Sequence, residues 1–289
     1  MVRNVLTVDV EEYFHVSAFA SIIREADWPF CESRVEASVD RLLALFDEHR
    51  VRATFFVLGW VAARRPKVVT RIVRLGHEIA CHSYAHRLIY SQSRAEFAED
   101  LRRAKGAIED AAGVAVRGYR APSFSVVEKT LWALDVLVEQ GFEYDSSIFP
   151  IRHDRYGIPS APRRPHRRVT PSGASIWELP PATVRWMGAS LPVAGGGYLR
   201  HLPASVMQWG IARLNRVDRV PAVVYLHPWE LDPGQPRQAV GPLTAWRHYG
   251  NLHRTEERLV GLLRRFEFGT AGELVDALTT GQVAETRAA

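Results

Sequence analysis

Short runs of β-branched and aromatic residues alternate along the chain with longer stretches in which apolar residues recur at the period of an α-helix. The short runs predict strands at 5–10, 53–57, 77–82, 116–120, 142–145, 176–179 and 222–227. The periodic stretches predict helices at 33–49, 61–75, 94–112, 127–140, 204–215, 254–266 and 273–278. This repeated strand–helix order predicts an α/β protein built on a parallel sheet or barrel.

The alternation is interrupted between 150 and 175, where proline, glycine and arginine replace the periodic pattern. We predict a long surface excursion there. It contains an Arg-Arg-Pro-His-Arg-Arg run at 163–168, which is either a solvated loop or a contact for the phosphate of a glycan carrier. Because the chain has no internal repeat and no clean linker, we predict one domain over 1–280 and a frayed tail over 281–289.

Composition and charge exclude several classes of protein. Of 289 residues, 47% are hydrophobic and 24% charged, which does not fit intrinsic disorder, collagen or a coiled coil. The net charge of 37 − 32 = +5 permits an anionic partner without requiring one, and we expect no nucleic-acid partner. No stretch approaches the ~20 apolar residues of a membrane span. Since no signal peptide precedes the first strand, we expect a cytoplasmic protein that is not an integral membrane protein.

Ionisable residues are concentrated at the carboxyl ends of the predicted strands. They are Asp9, Glu11, His82, Arg120, Asp145 and His227. Strands covered on both faces stay apolar, and barrel folds place their chemistry at the carboxyl ends of their strands. We therefore expect one shared polar site, with separate solvent-exposed strand ends as the alternative. Arg120 and His227 are residue types suited to an electrophile and an acid in such a site.

Two histidines and two carboxylates have a spacing that is typical of metal sites. His82 and His86 are four residues apart, which predicts two imidazoles on the same side of a helical turn. Asp9 and Glu11 flank a valine and are expected to point to the same face of a strand. One carboxylate and two histidines make a metal site that is open to water and substrate, and the second carboxylate can then take a proton from that water.

Five segments carry a family resemblance. They read Thr-Val-Asp-Val-Glu-Glu-Tyr-Phe-His at 7–15, Gly-His-Glu-Ile-Ala-Cys-His-Ser-Tyr-Ala-His at 76–86, Arg-Gly-Tyr-Arg-Ala-Pro-Ser-Phe at 117–124, Tyr-Asp-Ser-Ser-Ile-Phe-Pro at 144–150 and Val-Tyr-Leu-His-Pro at 224–228. In this order they resemble the five motifs of the NodB-homology polysaccharide deacetylases, a carbohydrate esterase 4-like family. Through residues 8–11, 54–59 and 251–255 the chain looks most similar to the bacterial subgroup linked to exopolysaccharide loci and exosortase systems.

The resemblance implies an irregular (β/α)7-type barrel, similar to a TIM barrel, and a role for each matching residue. Asp9 matches the catalytic base, and Arg120 matches the arginine that orients this base. His227 matches the general acid, and Asp145 lies in the fourth motif and is grouped with the catalytic residues.

The resemblance also implies one divalent metal ion, usually zinc. Glu11, His82 and His86 match its ligands. The common first motif of the family has adjacent aspartates, whereas here Asp9 and Glu11 are separated by a valine, so Glu12 is an alternative ligand. Some superfamily members that hydrolyse cyclic amides work without a metal. We predict one bound divalent ion per chain, with Zn²⁺ as the expected metal.

The implied reaction is removal of an N-acetyl group from an acetamido sugar in a bacterial exopolysaccharide or its precursor. Alternatives are a hydrolase of a small cyclic amide on the same fold and a non-catalytic glycan-binding relic. The expected partner is an N-acetylated glycan, while peripheral contact with lipid-linked glycan machinery and a homo-oligomer stay open. Candidates for contact with the sugar are Tyr119, Trp186, Tyr13 and Trp229, although aromatic residues are also common in cores.

Overall fold

A computed structural model describes residues 3–281, so most of the predicted tail lies outside the described residues. The strands are β1 Asn4–Val10, β2 Thr54–Val57, β3 Glu78–Cys81, β4 Gly118–Tyr119, β5 Tyr144–Asp145, β6 His166–Val169, β7 Ser175–Glu178, β8 Thr183–Trp186, β9 Ala189–Pro192, β10 Val223–Leu226 and β11 Phe268–Gly269. The α-helices are α1 Val35–Glu48, α2 Gly59–Arg64, α3 Pro66–Arg74, α4 Arg94–Ala112, α5 Trp132–Glu139, α6 Gly197–His201, α7 Ala204–Arg213, α8 Pro242–Tyr249, α9 Thr255–Leu263 and α10 Ala271–Thr279.

Seven parallel strands form the centre of the molecule, in the order β10-β1-β2-β3-β4-β5-β7. β11 adds a short parallel pairing to the start of β1, and β6 lies antiparallel to β7 at one edge. All seven residues of β1 are buried, as expected for a strand covered on both faces. The sheet is curled into a half-barrel, which confirms the predicted α/β barrel class.

The gap between β7 and β10 is closed by loop backbone rather than by a strand ladder. The N–H of Ala182 donates to the carbonyl of Val223 at 3.0 Å, and Gly195 forms an isolated parallel bridge to Tyr225. Gly195 has φ +119°, and a Cβ there would lie 1.8 Å from the carbonyl oxygen of Tyr225. Only glycine allows this close approach.

The helices follow their predicted apolar faces, with one difference. α1 buries Val35, Val39, Leu42, Leu43 and Phe46, the face that its periodicity predicts. The single helix predicted at 61–75 is divided into α2 and α3, because Pro66 disfavours helical backbone at the preceding residue. Arg65 accordingly has φ −131° and ψ 55°.

The excursion predicted at 150–175 is partly regular. Residues 166–169 form β6, in which burial alternates between half-buried and exposed side chains, so this part of the predicted surface excursion is a regular edge strand. The alternation is hard to see in the sequence because an edge strand tolerates arginines on its open face. The hairpin of β8 and β9 and helix α8 were also not predicted.

The polar strand ends meet at one end of the barrel. Asp9 lies near the carboxyl end of β1, while His82, Arg120 and His227 directly follow β3, β4 and β10. Since these strands are parallel, their carboxyl ends face the same side of the sheet. Among the helices of the described residues, none is long and apolar enough to cross a membrane.

Candidate active site

Asp9 is held by a fully buried arginine. Nη1 of Arg120 donates to Oδ1 of Asp9 at 2.7 Å and to the hydroxyl of Thr7 at 2.7 Å. The remaining donors of Arg120 reach the carbonyl and the hydroxyl of Ser146, at 3.2 and 2.9 Å. Its guanidinium also lies 4.3 Å from the ring centre of Phe56. This buried guanidinium fixes the position of the Asp9 carboxyl group.

Glu11 and Glu12 have different surroundings, which separates the two alternative ligands. Glu11 points into the site: Oε1 accepts the indole N–H of Trp229 at 2.9 Å, and Oε2 lies 2.9 Å from Nε2 of His86. Glu12 accepts the backbone N–H groups of Arg34 and Val35, at 2.9 and 3.1 Å, at the start of α1. The carboxylate of Glu12 therefore satisfies free donors at a helix N-terminus.

The imidazole pair is brought together by a loop. Residues 82–86 are not helical, so the prediction of a helical turn is wrong. Ser83 and His86 have φ values of +65° and +53°, and these left-handed residues fold the chain back on itself. The ring centres of His82 and His86 are 5.4 Å apart. The ligand spacing is thus produced by two unusual backbone conformations, which residue spacing does not reveal.

Glu11, His82 and His86 fit a divalent metal ion. Each offers one ligand atom, and these atoms lie within 4.8 Å of one another. Oε2 of Glu11 is buried, and no group in the described part of the chain donates a hydrogen bond of acceptable geometry to it. Nδ1 of His82 lies 2.8 Å from the carbonyl oxygen of Arg120. Because a carbonyl only accepts, Nδ1 carries the hydrogen and Nε2 keeps a lone pair, as in a metal-ligating histidine.

Burial and neighbouring charges together shift the pKa values of Glu11 and His82. Burial disfavours the carboxylate of Glu11, but contact with His86 and the charges of His227 and His82 outweigh it and hold its pKa well below the ordinary value. Burial lowers the pKa of His82 to about 4. At neutral pH the cluster therefore offers an ionised carboxylate and a neutral imidazole, the forms that bind metal.

His227 faces the same cavity from β10. Its Nε2 lies 3.9 Å from Oδ2 of Asp9 and 3.8 Å from Oε1 of Glu11. Its Nδ1 lies 3.1 Å from Oε2 of Glu230, and Nε of Arg200 lies 2.6 Å from Oε1 of Glu230. Burial opposes a charge on His227, but Glu230, Glu11 and Asp9 together raise its pKa to about 9. A protonated imidazole is available to donate at neutral pH.

These residues line one open cavity of about 660 Å³. Its catalytic and aromatic lining consists of Asp9, Glu11, His82, His86, His227, Trp229, Phe124, Tyr90, Tyr156, Tyr225 and His248. Trp229 is sandwiched between His227 and His248, at centroid distances of 5.0 and 4.4 Å. The sequence-predicted Trp229 thus contributes to the wall beside His227, and its N–H orients Glu11.

Asp145 lies outside this cavity. It is fully buried and sits opposite Glu178 in the β5–β7 ladder. The hydroxyl of Ser147 donates to the Asp145 carboxyl group and accepts the backbone N–H of Ala121. Burial raises the pKa of Asp145 to about 6. Its contacts support the backbone that follows Arg120, and it does not contact His227.

Three predicted sugar contacts also lie away from the cavity lining. Tyr119 is fully buried and its hydroxyl group is 2.7 Å from that of Ser83. Tyr13 is buried in a short 3₁₀ turn. Trp186 is 57% exposed at the end of β8, in the hairpin. The backbone N–H of Arg120 donates to the carbonyl of Cys81 in the sheet.

Sequence reasoning missed Glu230 and Arg200. Glu230 lies three residues after His227, directly after a strand end, and this His-Pro-Trp-Glu spacing was an available signal. Arg200 is 30 residues away along the chain, in a helix that was not predicted, and only the fold brings it to Glu230. The ion pair between Arg200 and Glu230 is buried, and it connects α6 to the segment that follows β10.

Comparison with known proteins relates the site to a family. Residues 27–144 match the family model Polysaccharide deacetylase. Over these residues, which we call the deacetylase-related segment, the chain is similar to the polysaccharide deacetylases. Residues 146–276 match a second family model, Domain of unknown function (DUF3473). The deacetylase-related segment contributes His82, His86 and Arg120, whereas His227 and Glu230 come from the second segment.

Curated relatives share the deacetylase-related segment. A chitooligosaccharide deacetylase of Bradyrhizobium sp. (strain ANU 289) is 36% identical over 110 residues, which is 38% of this chain and 44% of the relative. A peptidoglycan deacetylase of Helicobacter pylori is 31% identical over 115 residues, or 39% of this chain and 38% of the relative. The matches therefore span less than half of these relatives.

The fold likeness extends further than the sequence identity. A crystal structure from Mycobacterium smegmatis, of a protein assigned as a polysaccharide deacetylase, aligns with a TM-score of 0.61 at 24% identity. The alignment covers 100% of this chain and 93% of that chain. Both segments of the chain therefore belong to a fold that this mycobacterial protein shares.

Proposed function

We propose that this protein is a metal-dependent hydrolase that removes N-acetyl groups from an acetamido sugar of a bacterial polysaccharide or its precursor. One observation carries the proposal: Asp9 and His227 both border the Glu11–His82–His86 cluster within a single open cavity. An amide hydrolase needs a group that takes a proton from water and a second group that gives one to the departing amine. The site contains both groups beside a metal-binding set.

Glu11, His82 and His86 would hold the metal, which we propose to be Zn²⁺. When bound, such an ion polarises an amide carbonyl and lowers the pKa of a water molecule. Two imidazoles and one carboxylate leave positions open for water and substrate. Trp229 and the carbonyl of Arg120 fix the orientation of Glu11 and His82, so the set is organised before substrate arrives.

Asp9 acts as the base. Its Oδ1 is occupied by Arg120 at 2.7 Å, whereas Oδ2 faces Nε2 of His227 across 3.9 Å. Oδ2 is therefore the oxygen that receives the proton as water attacks the amide carbon. His227 acts as the acid: Nε2 points toward Asp9 and Glu11, and it gives its proton to the amine nitrogen as the C–N bond breaks. Glu230 and Arg200 hold the opposite side of its ring.

The shape of the cavity supports a sugar substrate. It is open to solvent rather than closed around a small molecule, and Tyr156, Tyr225 and Phe124 supply aromatic surface near the reacting groups. Aromatic rings with a hydroxyl group offer both an apolar face and a hydrogen-bonding edge to a sugar. Names of the relatives, which include chitooligosaccharide and peptidoglycan deacetylases, support an N-acetylated glycan. The exopolysaccharide context rests on the resemblance of residues 8–11, 54–59 and 251–255 alone.

Acetate release from N-acetylglucosamine oligomers tests the proposal. Purified protein is assayed as isolated, after treatment with a chelator, and after addition of Zn²⁺ to the chelated sample. We expect acetate from the first and third samples and a large loss in the second. Absence of acetate from protein that contains one metal ion per chain would contradict N-deacetylation of these sugars and would favour a cyclic amide or another acylated sugar.

A further inference from the structure

A second cavity, of about 680 Å³, opens at the end of the barrel opposite the catalytic cavity. Its lining comes from residues 212–219, which precede β10, and from residues 263–267, which precede β11. These residues lie at the amino ends of parallel strands, whereas Asp9 and His227 lie at the carboxyl ends. The two cavities therefore face opposite directions.

Arginines dominate this surface. We call the set Arg213, Arg216, Arg219, Arg264 and Arg265 the basic patch; the last four line the cavity. Within residues 3–281, none of the five has a carboxylate oxygen within 4.0 Å, in contrast to Arg163, which lies 3.6 Å from Asp218. The two segments that line the cavity, 212–219 and 263–267, also contain two carboxylates, Asp218 and Glu267. Their net charge is therefore 5 − 2 = +3, compared with +5 for the whole chain.

Apolar side chains are exposed beside the basic patch. Trp209 is 43% exposed and Val217 is 62% exposed. Trp209 and Arg213 are four residues apart in α7, a spacing that places both side chains on one side of the helix. Arg216 and Val217 follow in a π-helical turn at 214–218. Arg265 donates to the side-chain oxygen of Gln208, the neighbour of Trp209, at 3.3 Å, so the end of α9 and the exposed side of α7 form one continuous surface.

We propose that the basic patch, together with Trp209 and Val217, docks the protein on an anionic lipid surface. Arginines attract anionic headgroups, and a tryptophan flanked by cationic residues is typical of protein surfaces that lie in the membrane interface. A soluble anion would need the arginines alone and would leave the two exposed apolar side chains unexplained. In the docked orientation the catalytic cavity points away from the lipid and stays open to substrate.

Vesicle sedimentation tests this proposal on the full chain. Vesicles of phosphatidylglycerol and phosphatidylcholine in equal amounts are compared with vesicles of phosphatidylcholine alone. We expect binding to the anionic vesicles only, and its loss as salt rises to about 0.5 M, where the Debye length is a few ångströms. An Arg216→Ser/Arg264→Ser variant should bind on the order of 25-fold more weakly, because each arginine near such a surface contributes about fivefold. Trp209→Ser should weaken binding several-fold.

The control removes the same charge elsewhere. Arg24 and Arg102 are exposed outside the basic patch, and the Arg24→Ser/Arg102→Ser variant should bind vesicles as the unmodified protein does. Thermal melts verify that each variant is folded. Equal loss of binding in both double variants would show an effect of net charge and overturn the proposal. Absence of vesicle binding would also overturn the proposal. It would be overturned as well if Trp209→Ser bound vesicles with unchanged affinity and inorganic pyrophosphate displaced that binding, because this result indicates a site for a soluble anion.

Discussion

The imidazole of His227 is fixed by Glu230, three residues further along the chain. The carboxylate of Glu230 accepts the backbone N–H of His227 at 3.0 Å and lies 3.1 Å from Nδ1 of the ring. Arg200 approaches its other oxygen and keeps Glu230 ionised: although burial favours the neutral acid, the pKa of Glu230 is lowered to about 2. This arrangement directs Nε2 of His227 toward Asp9 and the metal-binding cluster.

Glu230→Gln removes the negative charge beside His227 but keeps a side-chain oxygen that can hold the orientation of the His227 ring. We expect kcat for acetate release to fall on the order of 10²-fold, because the acid loses the anion that keeps it protonated. KM should change much less, since the side chain of Glu230 does not line the cavity. The alkaline limb of the pH–rate profile should also move to lower pH, because the pKa of His227 falls when the carboxylate is removed.

Glu230→Asp serves as the conservative variant and should recover part of the lost rate at neutral pH. Thermal melts measure whether each variant keeps its stability, which is expected to fall if the buried Arg200 loses its ion pair with residue 230. A Glu230→Gln protein with normal kcat and an unshifted pH profile would show that Glu230 is structural only.

Asp9→Asn should reduce turnover on the order of 10² to 10⁴-fold while leaving zinc bound. Asparagine keeps an oxygen for Arg120, so the fold of the site is preserved, but it cannot accept the proton of water. Turnover is measured as acetate release, and zinc per chain by elemental analysis. Asp40→Asn, an exposed change on α1 that disrupts an ion pair with Arg71, is the matched control and should be active. Normal turnover in Asp9→Asn would exclude this residue as the base.

The barrel class and the polar residues at the strand ends were predictable from the sequence for different physical reasons. Strands and helices were predictable because burial on both faces of a sheet and on one face of a helix leaves a periodic apolar pattern. Asp9, His82 and His227 were predictable because ionisable side chains interrupt that pattern at strand ends.

Other features depended on backbone geometry or distant contacts. The loop that joins His82 to His86 depends on left-handed backbone at Ser83 and His86. Neither serine nor histidine is a residue type from which left-handed backbone would be predicted. Strand alternation favoured Glu11 over Glu12 only if the strand continued past Val10, and β1 ends at Val10.

Paired variants of the two glutamates test that choice. Glu11→Ala should lose bound zinc, since it removes one of three ligands, and should lose activity with it. Glu12→Ala should keep zinc but lower the free energy of unfolding by roughly 1 to 2 kcal/mol, the cost of losing a helix cap. Zinc per chain after dialysis and urea denaturation measure the two effects. Loss of zinc from Glu12→Ala together with full zinc in Glu11→Ala would exchange the two assignments.

The buried carboxyl pair of β5 and β7 predicts a pH-dependent stability that is separate from catalysis. Burial and the proximity of Asp145 raise the pKa of Glu178 well above its ordinary value, and burial raises that of Asp145. The folded chain therefore holds these protons more tightly than the unfolded chain does. The contribution of this pair to stability therefore falls as pH rises from the ordinary carboxyl range through the raised values, and it is greatest at the acidic side of that window.

Glu178→Gln removes one of the two ionisable groups and retains an oxygen to accept the backbone N–H of Ile148, which now donates to Glu178 at 3.1 Å. The variant should therefore gain stability relative to the unmodified protein as pH rises from about 4.5 to about 8, because the unmodified protein loses stability over this range and the variant loses less. Urea denaturation at several pH values measures the difference. If the difference in the free energy of unfolding stayed constant across this pH range, Asp145 and Glu178 would have the same pKa values in the folded and unfolded chain. Their burial would then be compensated by contacts other than a retained proton.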